Sequence, residues 1–321
     1  MTSGSILRAL RPCIGLAIVL TVFALHPQAE GFLSVFNFKI VANQTVIVGL
    51  AAIGATFVIV SGGIDLSVGS IIALSSVVCA LVLRAEYGVT LAMVSAIIAG
   101  CVCGLVNGLM ITMLRIAPFV ATLGMLGIAR GAAKWISGEQ KVDVPPAALE
   151  SGGLQAWMSN RPDPEWLWFS PGVWTTILLA LIAAYVLRRS VFGIHVTAIG
   201  SNEKTARLCG IRIERTKIAI YSIAGACAGL AGFMLCARLT VGNPTAALGK
   251  ELDVIAAVVI GGASLAGGQG GVLGSMLGAL MMAFLASGCK MTGSATYVQE
   301  ILIGTIIVVA VSVDVLQRRR A

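Results

Sequence analysis

An all-α, polytopic membrane protein of about ten transmembrane helices is what this sequence predicts, with broken or half helices and inverted repeats among them. Three observations carry that expectation. Of 321 residues, 58% are hydrophobic and only 11% charged, where a soluble domain carries roughly a quarter charged. Apolar runs close to the about 20 residues that cross a bilayer recur from end to end. Lysine and arginine fall mainly between those runs and gather on alternate connections, as topology-setting charges do.

The spans follow in order. The first, near 12–29, is preceded by Arg8 and Arg11 but ends at His26-Pro27-Gln28 without a small-x-small cleavage pattern, so it reads as a retained helix rather than a signal peptide. Further spans lie near 40–60, 67–84, 90–113, 117–136, 173–188, 217–238, 252–263, 271–289 and 298–314. The run at 252–263 is short and reads as a half or kinked helix. With the N-terminus in the cytoplasm, the inside segments carry Arg115, Arg188, Arg189, Lys204, Arg207, Arg212, Arg215 and Lys217, besides Arg8, Arg11 and the tail Arg318-Arg319-Arg320. The outside loops carry mainly Lys39, Lys141, Arg161, Lys250 and Lys290. An even number of spans returns both basic termini to the cytoplasm, and residues 1–321 form one transmembrane domain.

Two polar stretches interrupt this pattern. Residues 137–172 hold Pro145-Pro146, Trp157, Asp163, Glu165, Trp166 and Trp168; tryptophan suits the headgroup region, which predicts an outer loop resting on the bilayer surface. Residues 189–217 are basic and lie inside. There Ser201 or Asn202 is placed to cap a helix of about two turns that Gly210 ends, giving either a docking knob or an ordinary solvated connector.

The formal charge of +8 does not point to nucleic acid, because it sits on the connections between spans and the aromatic content is too low for base stacking. The eight cysteines are scattered without a CxxC pair, and His26 and His195 are isolated, so neither a disulfide framework nor a metal site is supported. Glycines at 100, 104 and 108, at 225 and 229, and at 274 and 278 have the spacing that lets helices approach closely in lipid.

The segment Ser61-Gly62-Gly63-Ile64-Asp65-Leu66-Ser67 breaks one helix and offers Asp65 or Ser67 as a cap for the next. Asp253, in Glu251-Leu252-Asp253-Val254, opens a second apolar run in a similar way, as an inverted repeat would. Both carboxylates are either caps or parts of a gate. The stretch Gly261 to Gly271 lacks the Gly-Lys-Ser/Thr ending of a P-loop, so the chain does not hydrolyse ATP by itself. Few polar side chains lie within the spans. Asn43, Gln44, Asp65, Ser67, Asn107, Phe119, Thr122 and Asp253 are the candidates for a pathway or its gating. A buried chain of acids and histidines is missing, which leans against a self-energised pump, and so is a nucleophile–base pair of the kind an intramembrane enzyme needs.

From Ser61 to Ser70 the chain closely resembles the signature of permease subunits of bacterial ABC importers for monosaccharides, the ribose, arabinose and galactose group. Pro118-Phe119-Val120-Ala121-Thr122-Leu123-Gly124, Gly200-Ser201-Asn202-Glu203, Ala206-Arg207-Leu208-Cys209-Gly210-Ile211 and Glu251 to Gly262 are similar to it in the same order. The resemblance implies a paired permease, a second copy or close paralogue facing the first. It implies an ATP-binding subunit on the cytoplasmic face that carries the ATP and Mg, leaving no cofactor in this chain, and a periplasmic solute-binding protein. The segment Ser201, Asn202, Glu203, Lys204, Ala206, Arg207, Leu208 and Gly210 is then implied to couple to the ATPase, in a bacterial inner membrane. A self-contained secondary transporter or channel for a small polar solute is the alternative.

Overall fold

The computed structural model describes residues 3–149, 153–162 and 166–318. The basic termini fall partly beyond it: Arg319 and Arg320, with Asp163 and Glu165 of the long loop, lie outside the described residues, as do the side chains of Arg8, Arg11 and Arg318. Twelve α-helices are described: α1 Ser3–Ala24, α2 Val35–Val60, α3 Val68–Arg84, α4 Val89–Thr112, α5 Pro118–Ser137, α6 Pro171–Arg189, α7 Val191–Ser201, α8 Glu203–Leu208, α9 Ile213–Leu239, α10 Lys250–Ile260, α11 Val272–Met291 and α12 Thr296–Arg318. Of these, α2, α4, α6, α9 and α11 meet the length and apolarity of a membrane span unaided. The fold is an all-α polytopic membrane bundle.

Helices α2 and α9 form its centre. The second half of α2, from Val46 to Val60, is buried without interruption, and α9 packs on α2, α3 and α4. Lipid supplies no hydrophobic drive between helices, so close backbone approach must hold them together. The glycines supply it. A Cβ on Gly100 would lie 2.7 Å from the Gly229 Cα, and one on Gly225 would lie 2.9 Å from the Gly104 Cα; the two small-residue stripes read in the sequence meet each other across α4 and α9. The third stripe serves another pair, since a Cβ on Gly278 would lie 2.8 Å from the Ala257 carbonyl carbon of α10. Side-chain bonds add a few stitches: Thr56 Oγ1 of α2 donates to Ser275 Oγ of α11 at 2.8 Å.

Three expectations are corrected. The first helix ends at Ala24 and turns through residues 25–34 before α2, because Asn37 Nδ2 donates to the Phe32 carbonyl at 2.7 Å and Phe32 stacks on Phe23 and Phe284. The corner is fastened into the bundle instead of continuing the span. The loop 137–172 does not simply rest on a surface. Its strand β1 Val142–Asp143 pairs antiparallel with β2 Val241–Gly242, which follows α9, and Leu154 and Met158 are buried. Trp157 meets Phe233 edge-on at 5.6 Å, and only Trp166 and Trp168 stay exposed. The basic connector holds a further helix, α7, that the sequence reading merged into a loop; Ser190 caps it by accepting from the Gly193 N–H at 3.1 Å.

The short helices α3 and α10 are the unusual elements. Their first turns meet, since a Cβ on Gly69 would lie 2.6 Å from the Ala247 carbonyl oxygen and closer still to a carboxylate oxygen of Glu251. Beyond that point they diverge, α3 to α4, α5 and α9, and α10 to α2, α11 and α12. Two positive helix ends brought together repel unless an anion lies between them. Glu251 and Asp253, both in the first turn of α10, provide that charge.

Filling the α4–α9 contact should be costly. Gly104→Val should lower the stability of the solubilised protein by about 2 kcal/mol or more, because overpacked contacts cannot relax past backbone. Gly124→Ala on α5, where nothing lies within 4 Å, should shift it by less than about 0.5 kcal/mol. Thermal unfolding in one detergent compares the two.

Candidate functional site

Two polar features occupy opposite ends of α2, α9 and α11, with a buried polar turn between them. At one end a cavity of about 570 Å³ opens between the start of α2, the ends of α9 and α11, and the start of α10. That volume falls within the roughly 300–1,000 Å³ of small-molecule sites. Its polar lining is mostly amides, from Asn43, Gln44, Asn160, Asn243 and Gln299. Arg238, Lys250, Lys290 and Asp253 supply charge. Lys250 Nζ and Asp253 Oδ2 are paired at 2.5 Å, whereas Arg238 and Lys290 have no carboxylate within 4 Å among the described residues. Amides that both donate and accept, on apolar walls, suit a neutral polyhydroxylated solute.

Asn43 is held rigidly at the cavity edge. Its Nδ2 donates to the Met158 carbonyl at 3.3 Å and to Asn160 Oδ1, while its own Oδ1 accepts from Ser170 Oγ. The long loop is thus tied to α2 through one side chain.

The turn between α2 and α3 carries Asp65, 6% exposed. Asp65 Oδ1 accepts from the Ser67 N–H at 2.8 Å and from Ser67 Oγ at 2.6 Å. Asn107 Nδ2 of α4 donates to the same Ser67 Oγ at 3.0 Å, and Thr122 Oγ1 of α5 donates to the Ile64 carbonyl at 3.2 Å. Asp65 therefore caps this break, while Ser67, which occupies the N-cap position, makes no capping bond of its own. Asn107 Oδ1 and Tyr221 Oη are buried beside the turn without a partner, and Tyr221 Oη lies against Gly63.

At the far end from the cavity, α7 and α8 build a knob. Asn202 caps α8, accepting from the Thr205 N–H at 3.0 Å, and Gly210 follows with φ +81°. Ala206, Ile199 and Ile213 form a small core of their own beneath it. Exposed ion pairs brace it, Arg207–Glu214 and Lys217–Glu203, both at 2.7 Å. Leu208 stands 89% exposed at its tip, and Ser201 and Lys204 are exposed beside it. The knob seats on backbone: Gly200 lies against the Val60 carbonyl and Gly268, and the Gly268 N–H donates to the Val60 carbonyl at 2.8 Å. Any displacement of the knob reaches the end of α2, and so the Asp65 turn.

The sequence candidates therefore separate into groups. Asn43, Gln44 and Asp253 border the cavity; Asp65, Ser67, Asn107 and Thr122 form the buried turn. Phe119 belongs to neither and is exposed on α5. Asp253 is not a cap: α10 begins at Lys250 after Gly249, with φ +76°, so Asp253 falls inside the first turn and pairs with Lys250. Arg238, Asn160, Asn243 and Gln299 went unread in the sequence. The readable signal for Arg238 was a cation at the end of an apolar run, on the side where positive charge is sparse.

A family model described as branched-chain amino acid transport system, permease component, matches residues 37–311. The chain belongs to that permease family. The permease is 36% identical over 300 residues to the ribose import permease protein of Escherichia coli (strain K12), covering 93% of this chain and 92% of that one. It is 38% identical over 316 residues to the ribose import permease protein of Bacillus subtilis (strain 168), covering 96% and 93%. With the fructose import permease protein of Rhizobium meliloti it shares 33% identity over 304 residues, covering 94% and 84%. No solved structure matches the permease.

Substitutions at two positions separate fold from function here. Asp65→Ala leaves the Ser67 N–H buried without an acceptor and should cost about 1–3 kcal/mol, whereas Asp65→Asn keeps the accepting oxygen and should retain most of that stability. Chemical unfolding monitors both, and transport by the Asn variant shows whether the charge itself is needed. Leu208→Asp touches no packed core, so its unfolding midpoint should equal that of the wild-type permease, while pull-down of an ATP-binding partner should fall at least about tenfold, the scale of one lost apolar anchor.

Proposed function

We propose that the chain is the pathway-forming subunit of an ABC importer that carries a monosaccharide or related small polar solute into the cytoplasm. The observation that carries this reading is the pairing of an amide-lined cavity at one end of α2, α9 and α11 with a braced, outward-facing knob at the other. The relatives named for ribose and fructose import support the substrate class. In this reading the cavity opens toward the outside and receives solute from a separate solute-binding protein. The α7–α8 knob lies in the cytoplasm and docks into an ATP-binding subunit that holds ATP and Mg, and both termini lie on that same side of a bacterial inner membrane. A second copy or close paralogue faces the first across the pathway.

Mechanically, the knob cannot move without its seat. Gly200 is packed against the carbonyl of Val60 and against Gly268, so closure of the ATPase pair drags the end of α2 and the turn between α10 and α11. The Asp65 turn converts that pull into a shift of α3, whose first turn abuts Glu251 and Ala247 beside the cavity. Alternating access follows when the short helices α3 and α10 change their mutual position, in the manner of half-helix transporters.

Reconstitution tests this directly. Vesicles holding the chain with its ATP-binding and solute-binding partners should take up labelled ribose or fructose only with ATP inside the compartment of the knob. Uptake by the chain alone, driven by an ion gradient, would contradict the importer reading and favour a secondary carrier.

A further inference from the structure

Arg130 lies well inside α5, with Leu126 and Gly127 one turn before it and Lys134 one turn after, and its position is not explained by topology. Its guanidinium Nη1 donates to the Pro244 carbonyl at 2.9 Å and to the Ala246 carbonyl at 2.7 Å. Both carbonyls belong to the segment 240–249 between α9 and α10. Asn243, Ala246 and Ala247 of that segment line the cavity, so Arg130 holds one wall of it from behind.

The segment is under backbone strain at both ends. Thr240 has φ +57° and Ala247 φ +56°, left-handed values that residues with a Cβ adopt only when surrounding contacts impose them. The contacts that hold the segment include the β1–β2 pair at Val142 and Gly242, the Val144 N–H donating to the Thr240 carbonyl, the seat of Gly242 on Ser76 and Val77 of α3, Asn243 Oδ1 accepting from Thr245, and the two bonds from Arg130. Ala247 of this segment and Glu251 of α10 both lie against Gly69 at the start of α3. Arg130 thereby joins α5, the strained segment and the meeting point of α3 and α10. Helix α5 packs one face on α3 and α4 and is open on the other, where nothing lies within 4 Å of a Cβ on Gly124, Gly127 or Gly131.

We propose that Arg130 is a positioning residue for translocation: it latches the strained segment 240–249 to α5, so that movement of α5 opens or closes the cavity mouth. Both bonds leave the same guanidinium nitrogen, Nη1, so a single group holds the two carbonyls together. The inference rests on the cavity being the mouth of the pathway.

Hydrogen–deuterium exchange and coupled transport, both on the assembled transporter, test it. In Arg130→Gln, amides of 240–249 should exchange at least about tenfold faster while those of α2 and α9 stay unchanged, as local opening of one unit requires. Solute uptake should fall at least tenfold (about 1.4 kcal/mol) while ATP hydrolysis continues, a split that a general folding defect would not give. Arg130→Lys, which keeps the charge and one donor nitrogen, should show a smaller rise in exchange, about threefold, and serves as the test should the Gln variant fail to reach the membrane. Unchanged exchange at 240–249 overturns the latch, and faster exchange with normal uptake overturns its role in translocation. The exchange result does not depend on transport, so failure of the importer reading appears separately, as wild-type uptake without an ATP-binding partner.

Discussion

Backbone N–H and C=O groups have no water to turn to in hydrocarbon, and this constraint shapes the whole bundle. Unbroken helices satisfy it automatically. A pathway that must change shape cannot be built from unbroken helices alone, so every interruption needs a local answer. At the turn before α3, the answer is the Asp65 carboxylate with Ser67 and Asn107. At the α10–α11 turn, it is the Gly268 amide bonded to the Val60 carbonyl. At the segment after α9, it is a two-residue strand pair and the guanidinium Nη1 of Arg130. Each answer ties the break to a different helix, and together they connect the knob to the cavity.

The second ingredient is the division between rigid and movable parts. Glycine contacts lock α4 to α9 at backbone distance, and such contacts transmit force because nothing flexible lies between the chains. Helices α3 and α10 are short and touch mainly through their first turns, where Glu251 sits between two positive helix ends. That is a contact which can be remade in a second arrangement. The importer mechanism follows from placing a stiff α4–α9 pair beside short helices that meet at an electrostatic point.

Much of this was legible in the sequence, and the remainder was hidden for identifiable reasons. Apolar length fixes spans, so α2, α4, α6, α9 and α11 were readable. The Gly62-Gly63 pair followed by Asp65 announced a break with its own cap, and Asn202 ahead of Glu203 announced the small helix α8. Asp253 misled because a carboxylate at the head of an apolar run looks like a cap, yet Gly249 had already turned the chain and Lys250 began the helix. The tryptophans of the long loop suggested a surface, but Leu154 and Trp157 pack inward, which depends on Phe233 of a helix far along the chain. Arg130 was silent because a single cation in an apolar run has no local partner; its acceptors arrive only with the tertiary fold. Phe119 sat inside a recognisable motif and still faces outward from α5.

The central claim is that the knob and the cavity form one mechanical unit joined through helix breaks. Spin labels at Gln44 and Gln299, which both line the cavity, read the state of its mouth while nucleotide binds to a partner docked on the knob. The distance between them should change when a non-hydrolysable ATP analogue is added to the assembled transporter, and should stay fixed when Gly200→Val dislodges the knob from Val60. A mouth that responds equally with and without that seat would contradict the account.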